Sequence, residues 1–134
     1  MPVRRHTGKP GDGWGTLISR CTWRVLAAVE VMNLLDWATT MIGAGILGVP
    51  ERGQTTIYLV RHLGVVGGTT VIKLLAAAIF AAFGAAALRL AGAPKPGSTT
   101  AAVGLLSGLA YAGVMLTQTV LSNLIIIWQK IGGR

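Results

Sequence analysis

The stretch from Glu30 to Gly48, EVMNLLDWATTMIGAGILG, limits what this chain can become more than any other. It is long and apolar enough to cross a bilayer, yet it carries two carboxylates, an amide and two threonines. Glu30, Asn33, Asp36 and Thr40 follow one another at spacings of three, three and four. A helix gathers them into one stripe, which Gly43 continues and the apolar Leu47 ends. An ionised side chain near the bilayer centre costs roughly 2.5–3.5 kcal/mol on insertion scales, and such residues face protein or a water-filled cavity. This helix therefore needs partners.

The partners come from the same 134 residues, a length that normally forms one domain. Hydrophobic residues make up 52% of the chain and charged residues 12%, about half the charged share of a soluble domain. The chain is accordingly expected to be an all-α membrane protein. Its net charge of +8 would suit nucleic acid, but the Lys and Arg residues stand mainly at the ends of apolar segments. No basic-aromatic interleaving or nucleic-acid motif accompanies them. The expected partners are the lipid bilayer and anionic lipid headgroups at the basic N-terminal tail, and not nucleic acid. Cys21 is the single cysteine, which excludes an internal disulfide and a CxxC site.

Residues 1–15, MPVRRHTGKPGDGWG, read as a flexible basic tail, and residues 16–134 as one transmembrane helical domain. Spans are expected over about 22–48, 65–90 and 101–128, the first ending before Pro50. Trp14 and Trp23 suit the headgroup zone. Between the first two spans, ERGQTTIYLVRHLG interleaves Ile57, Leu59, Val60 and Leu63 with Arg61 and His62, the pattern of a short interfacial helix. The turn AGAPKPGSTT closes a hairpin between the second and third spans. Arg4, Arg5, Lys9, Arg20, Arg24, Arg89 and Lys95 fall on one side, against Arg52, Arg61, Lys130 and Arg134 on the other. That excess predicts a multi-pass protein of the cell membrane with its N-terminus cytoplasmic and its C-terminus outside.

At a rise of about 1.5 Å per residue, Asp36 lies about 18 Å below the outer end of its span and Lys73 about 12 Å below. The lysine stem covers most of the difference. Glu30, Asn33, Asp36, Thr40, Lys73, Gln118 and Asn123 are therefore the candidate members of one buried polar cluster. Glu30, nearer the cytoplasm, is expected to meet Arg89 or Arg24. Gly104, Gly108 and Ala112 form a small-residue ridge on the third span, predicting a close helix–helix contact. No Ser/His/Asp triad, GxSxG, HExxH or phosphate-binding loop occurs, so no enzyme activity, cofactor or metal is expected.

The run NLLDWATT from Asn33 to Thr40, Glu51 beyond it, Lys73, and Tyr111 followed by Asn123 resemble a family of small uncharacterised prokaryotic integral membrane proteins. That family's pattern is N-x-L-D-x-x-x-T in the first helix, an E-x-N-P turn, a lysine in the next helix and an asparagine late in the last. The likeness runs from Val25 to Trp128, and the turn departs from it, reading Glu51, Arg52, Gly53, Gln54. The resemblance implies a shared polar cluster and carries no activity with it.

The reading that follows is a non-enzymatic membrane protein, a small scaffold or accessory subunit held by the polar cluster. It would act as a homo-oligomer or within a larger membrane assembly. Two other readings are a phage holin-like pore former, suggested by three spans and charged termini, and a proton or cation conductor using Asp36 and Lys73.

Overall fold

The structure is a computed structural model that describes residues 12–49, 54–93 and 95–133. Most of the expected tail, the Pro50 stop, the turn at 51–53 and Arg134 lie outside the described residues. Helix α1 spans Asp12–Thr40 and runs on into a π-helical turn, Met41–Ile46. Helix α2 spans Gln54–Ala91 and α3 spans Ser98–Gly132. All three are long and apolar enough to cross a membrane, and no strand occurs among the described residues. The fold is all-α.

Close approaches fix the directions of the helices. A Cβ on Gly15 would lie 2.9 Å from the Ala91 carbonyl, and one on Gly84 would lie 2.8 Å from Leu26 Cδ2. Numbers rising on α1 meet numbers falling on α2, so these two run antiparallel. Val29 packs on Gly113, and Asp36 bonds Asn123 further along, so α1 and α3 run parallel. The bundle goes up, down and up.

Its seam follows a seven-residue rhythm. Along α1 and its π-helical continuation, Thr22, Val29, Asp36 and Gly43 recur every seventh residue and all are buried. In α3, Ala102, Leu106, Leu109, Gly113, Leu116, Val120, Asn123 and Ile127 alternate by four and three, and none is exposed. That repeat holds one face of each helix toward its partners, as in a left-handed coiled coil.

Polar residues share the interior with the apolar Ile18, Val29, Ala87, Ala102, Leu109 and Val120. Thr22, Asn33, Asp36, Thr39, Thr69 and Ser98 are buried, while Leu34, Leu74, Tyr111, Val114 and Trp128 are exposed. So broad an apolar exterior marks a surface that another apolar medium or molecule covers.

Gly64 breaks α2. Its φ of 73° and ψ of 170° belong to a region open essentially to glycine alone. The arm before it folds back, so that a Cβ on Gly68 would come within 2.6 Å of the Val60 nitrogen. The helical arm before Gly64 joins the rest of α2 through that single residue, with no loop between them. At the other end, Gly97 takes φ 80° and Ser98 Oγ lies 2.8 Å from the carbonyls of both Ala93 and Lys95, shaping the α2–α3 turn.

Two expectations change. Helix α1 begins at Asp12 and α3 runs to Gly132, beyond the expected spans, because helical pitch persists after hydropathy fades. The ridge is the larger correction. Gly104 and Gly108 are exposed, with nothing within 4 Å of an added Cβ, and Ala112 is half-buried. The seam runs through Leu109 and Gly113, one position and about 100° away, so the ridge lines an apolar groove with Phe80 and Phe83 instead. The glycines that admit a neighbouring helix are Gly15, Gly84 and Gly113.

Alanine at Gly104 and Gly108 should leave thermal stability unchanged or raise it, by at most about 1 kcal/mol each, since alanine is the better helix former. Gly68→Ala should lower it, because its methyl meets backbone. Thermal unfolding in detergent checks the contrast, and a larger loss at Gly104 or Gly108 than at Gly68 would reverse this packing.

Candidate functional site

The seam carries its polar residues toward the end of the bundle where α1 becomes π-helical. Asp36 is 3% exposed, and its carboxylate receives a donor from each of the other two helices. Lys73 Nζ of α2 donates to Oδ2 in an ion pair, and Asn123 Nδ2 of α3 donates to Oδ1 at 3.2 Å. The same Nδ2 lies 3.2 Å from Thr39 Oγ1 and 3.4 Å from Thr40 Oγ1, acceptors for its second proton. Thr39 in turn donates to the Asp36 carbonyl at 3.1 Å. One carboxylate joins three helices.

Two further bonds set the level of α2 against α1. Asn33 Nδ2 donates to the Lys73 carbonyl at 3.1 Å, and Trp37 Nε1 donates to Thr70 Oγ1 at 3.1 Å. An indole N–H inside an apolar bundle needs such an acceptor.

Beyond the ion pair the helices part around a cleft of about 270 Å³. Asp36, Lys73 and Asn123 border it, with the threonines 39, 40, 56, 69 and 119. The π-helical turn contributes only Gly43 and Ala44, and Thr56 brings the arm of α2 across it. Thr69 is 2% exposed and its Oγ1 has no partner. Lys73 also borders a second, mainly apolar cleft between α1 and α2, with Glu30, Asn33, Trp37 and Thr70. Asn33 Oδ1, likewise buried, has no partner either.

Of the expected cluster, Asn33, Asp36, Thr40, Lys73 and Asn123 meet here. Gln118 does not: it is exposed on α3, five residues before Asn123 and therefore about 140° around the helix from it. Glu30 stands in the second cleft, and no salt bridge joins it to Arg24 or Arg89, both exposed. Periodicity missed Thr39, Trp37, Thr69 and Thr70. Thr39 shares its dipeptide with Thr40, and three or four residues after Asp36 fit the stripe equally well. Thr70 and Thr69 stand three and four residues before Lys73, the spacing that signals a shared face.

The arrangement can hold helices in register and can hydrate or bind a small polar species beside a neutral ion pair. Among the described residues no group of three His, Cys, Asp or Glu side chains is placed to hold a metal ion. Comparison of the chain with protein-family models, with curated proteins and with solved structures found no match.

Asp36→Leu and Lys73→Leu should each cost about 3–5 kcal/mol, the usual penalty for leaving one buried charge alone. The double substitution should recover most of that loss. A double-mutant cycle in detergent measures the coupling, and simple addition of the two losses would mean that the pair carries no shared energy.

Proposed function

We propose that the chain is a multi-pass protein of the cell membrane, with its N-terminus cytoplasmic and its C-terminus outside, that works without catalysis as a small scaffold or accessory subunit. The observation that carries this reading is the Asp36 carboxylate, bonded from both neighbouring helices inside a bundle with an apolar exterior. A carboxylate already occupied by an ammonium and an amide suits a fastener better than a general base. Exposed Trp14 and Trp23 near one end and Trp128 near the other support a bilayer between them. The arm before Gly64, with Arg61, His62 and Tyr58 exposed, suits the outer headgroup zone. Asn33, Asp36, Thr40, Lys73 and Asn123, which carry the resemblance to the small prokaryotic membrane family, are the residues of this node, and membership of that family is part of the proposal.

Cysteines placed at Gly97 and Gly133 should react with an impermeant reagent from opposite sides, Gly97 from the cytoplasm and Gly133 from outside. Labelling of both from one side would end the three-span reading. Induced expression should leave the membrane sealed to small dyes; abrupt permeabilisation and lysis would put a holin-like pore in place of a scaffold.

A further inference from the structure

We infer that the polar cleft is a binding site for a monovalent alkali cation, in which the cation and the Lys73 ammonium compete for Asp36. This goes beyond the scaffold reading, which treats the cluster as a fastener only, and it rests on the cleft itself.

The donor set is the first argument. The cleft is lined by one carboxylate and by Thr39, Thr40, Thr56, Thr69 and Thr119, side chains with hard oxygen atoms. The hydroxyls of Thr39 and Thr119 already donate to the carbonyls of Asp36 and Met115, which leaves their oxygens lone pairs for a cation. A single carboxylate balances a single positive charge, whereas a divalent ion normally gathers several carboxylates. Thr69 supplies the second argument. A buried hydroxyl without a partner is unfavourable unless something occupies the space beside it, and this one borders the cleft. The cleft is also several times the volume that one water takes in the liquid, room for an ion with part of its hydration shell.

The third argument is where Lys73 goes. Asn33 bonds the Lys73 carbonyl and so sets that residue level with itself on α1. Asn33 stands three residues from Asp36 in one direction and three from Glu30 in the other, about 4.5 Å each way along the axis. A lysine stem swings over that range. In the second cleft, which Lys73 also borders, stand Glu30 and the unpartnered Asn33 Oδ1. With Lys73 on Glu30 and an alkali cation on Asp36, each carboxylate holds one positive charge, and no bond is made or broken. Glu30 is a positioning residue in this scheme, since it never touches the cation.

The test is thermal unfolding of the purified full chain, read by tryptophan fluorescence, in NaCl, KCl or choline chloride at one ionic strength. The expected result is a saturable rise in melting temperature with Na⁺ or K⁺ and none with choline, which is too large for the threonine-lined cleft. Lys73→Gln removes the competitor and should strengthen apparent alkali affinity by about tenfold or more, the worth of one charge-assisted hydrogen bond. Thr69→Val should weaken it several-fold while leaving stability in choline unchanged, because that hydroxyl bonds nothing in the empty state. Glu30→Gln should weaken it too, by removing the second resting place of the ammonium. If Lys73→Gln folds only when Na⁺ or K⁺ is supplied, the cation has taken the place of the ammonium and the inference stands. If it folds in no salt, Thr69→Val and Glu30→Gln, which keep the ion pair, decide alone. Equal melting in all three salts, or an alkali response that neither of those two variants alters, overturns the inference.

Discussion

The carboxylate of Asp36 is the point on which the rest of this bundle depends. On the membrane reading proposed above, helices gain nothing by hiding apolar surface from one another, so packing and polar bonds must hold them. Here a single anion attracts Lys73 from an antiparallel neighbour and Asn123 from a parallel one. Each of those donors would be costly to bury alone. Together they fix the rotation and the level of three helices at once, and Asn33 on the Lys73 carbonyl and Trp37 on Thr70 repeat that level along α1 and α2.

Much of this was legible in the amino-acid sequence, for physical reasons that also mark where legibility stopped. Three apolar segments need only length and hydropathy to be seen, and Asp36 and Lys73 come to one depth by counting residues. Rotation about the helix axis is harder. Gly104 and Gly108 have the spacing of a packing motif, but spacing is the same on every face of a helix, and only the rhythm of the whole of α3 reveals that the seam passes through Leu109 and Gly113. Gln118 failed in the same way, chosen by depth and turned out by rotation. Thr69 and Thr39 were hidden for another reason: threonine is unremarkable in an apolar helix, able to bond its own backbone as Thr22 does to Ile18. Its role appears only when its neighbours are known. That the arm before Gly64 folds back onto Gly68 depends on two glycines acting together, which no pattern of apolar residues signals.

The bundle is held differently at its two ends, and the cleft lies at the one that polar bonds hold. Toward the start of α1, Gly15 meets Ala91, Gly84 takes Leu26 and Gly113 takes Val29, so each close contact sets a residue without a side chain against its neighbour. Toward the π-helical end the contacts to Asp36 are made by the long polar side chains of Lys73 and Asn123. A fully apolar filling there would leave those polar groups unsolvated except by one another. The threonines and the π-helical turn, with only Gly43 and Ala44 facing inward, leave space that is polar on its walls. The cleft thus lies where long polar side chains fasten the bundle.

The same reasoning separates an inert fastener from a site. An ion pair that served only to fix register would do best sealed, because every water admitted weakens the attraction between its charges. This pair borders an open polar cleft and leaves two buried oxygens, Thr69 Oγ1 and Asn33 Oδ1, without partners within a few residues of it. Two unsatisfied groups beside one ion pair cost stability, and they stand one on each side of the lysine that borders both clefts. Lys73, which bonds Asp36 and also borders the cleft that holds Glu30, has the layout that the proposed exchange requires.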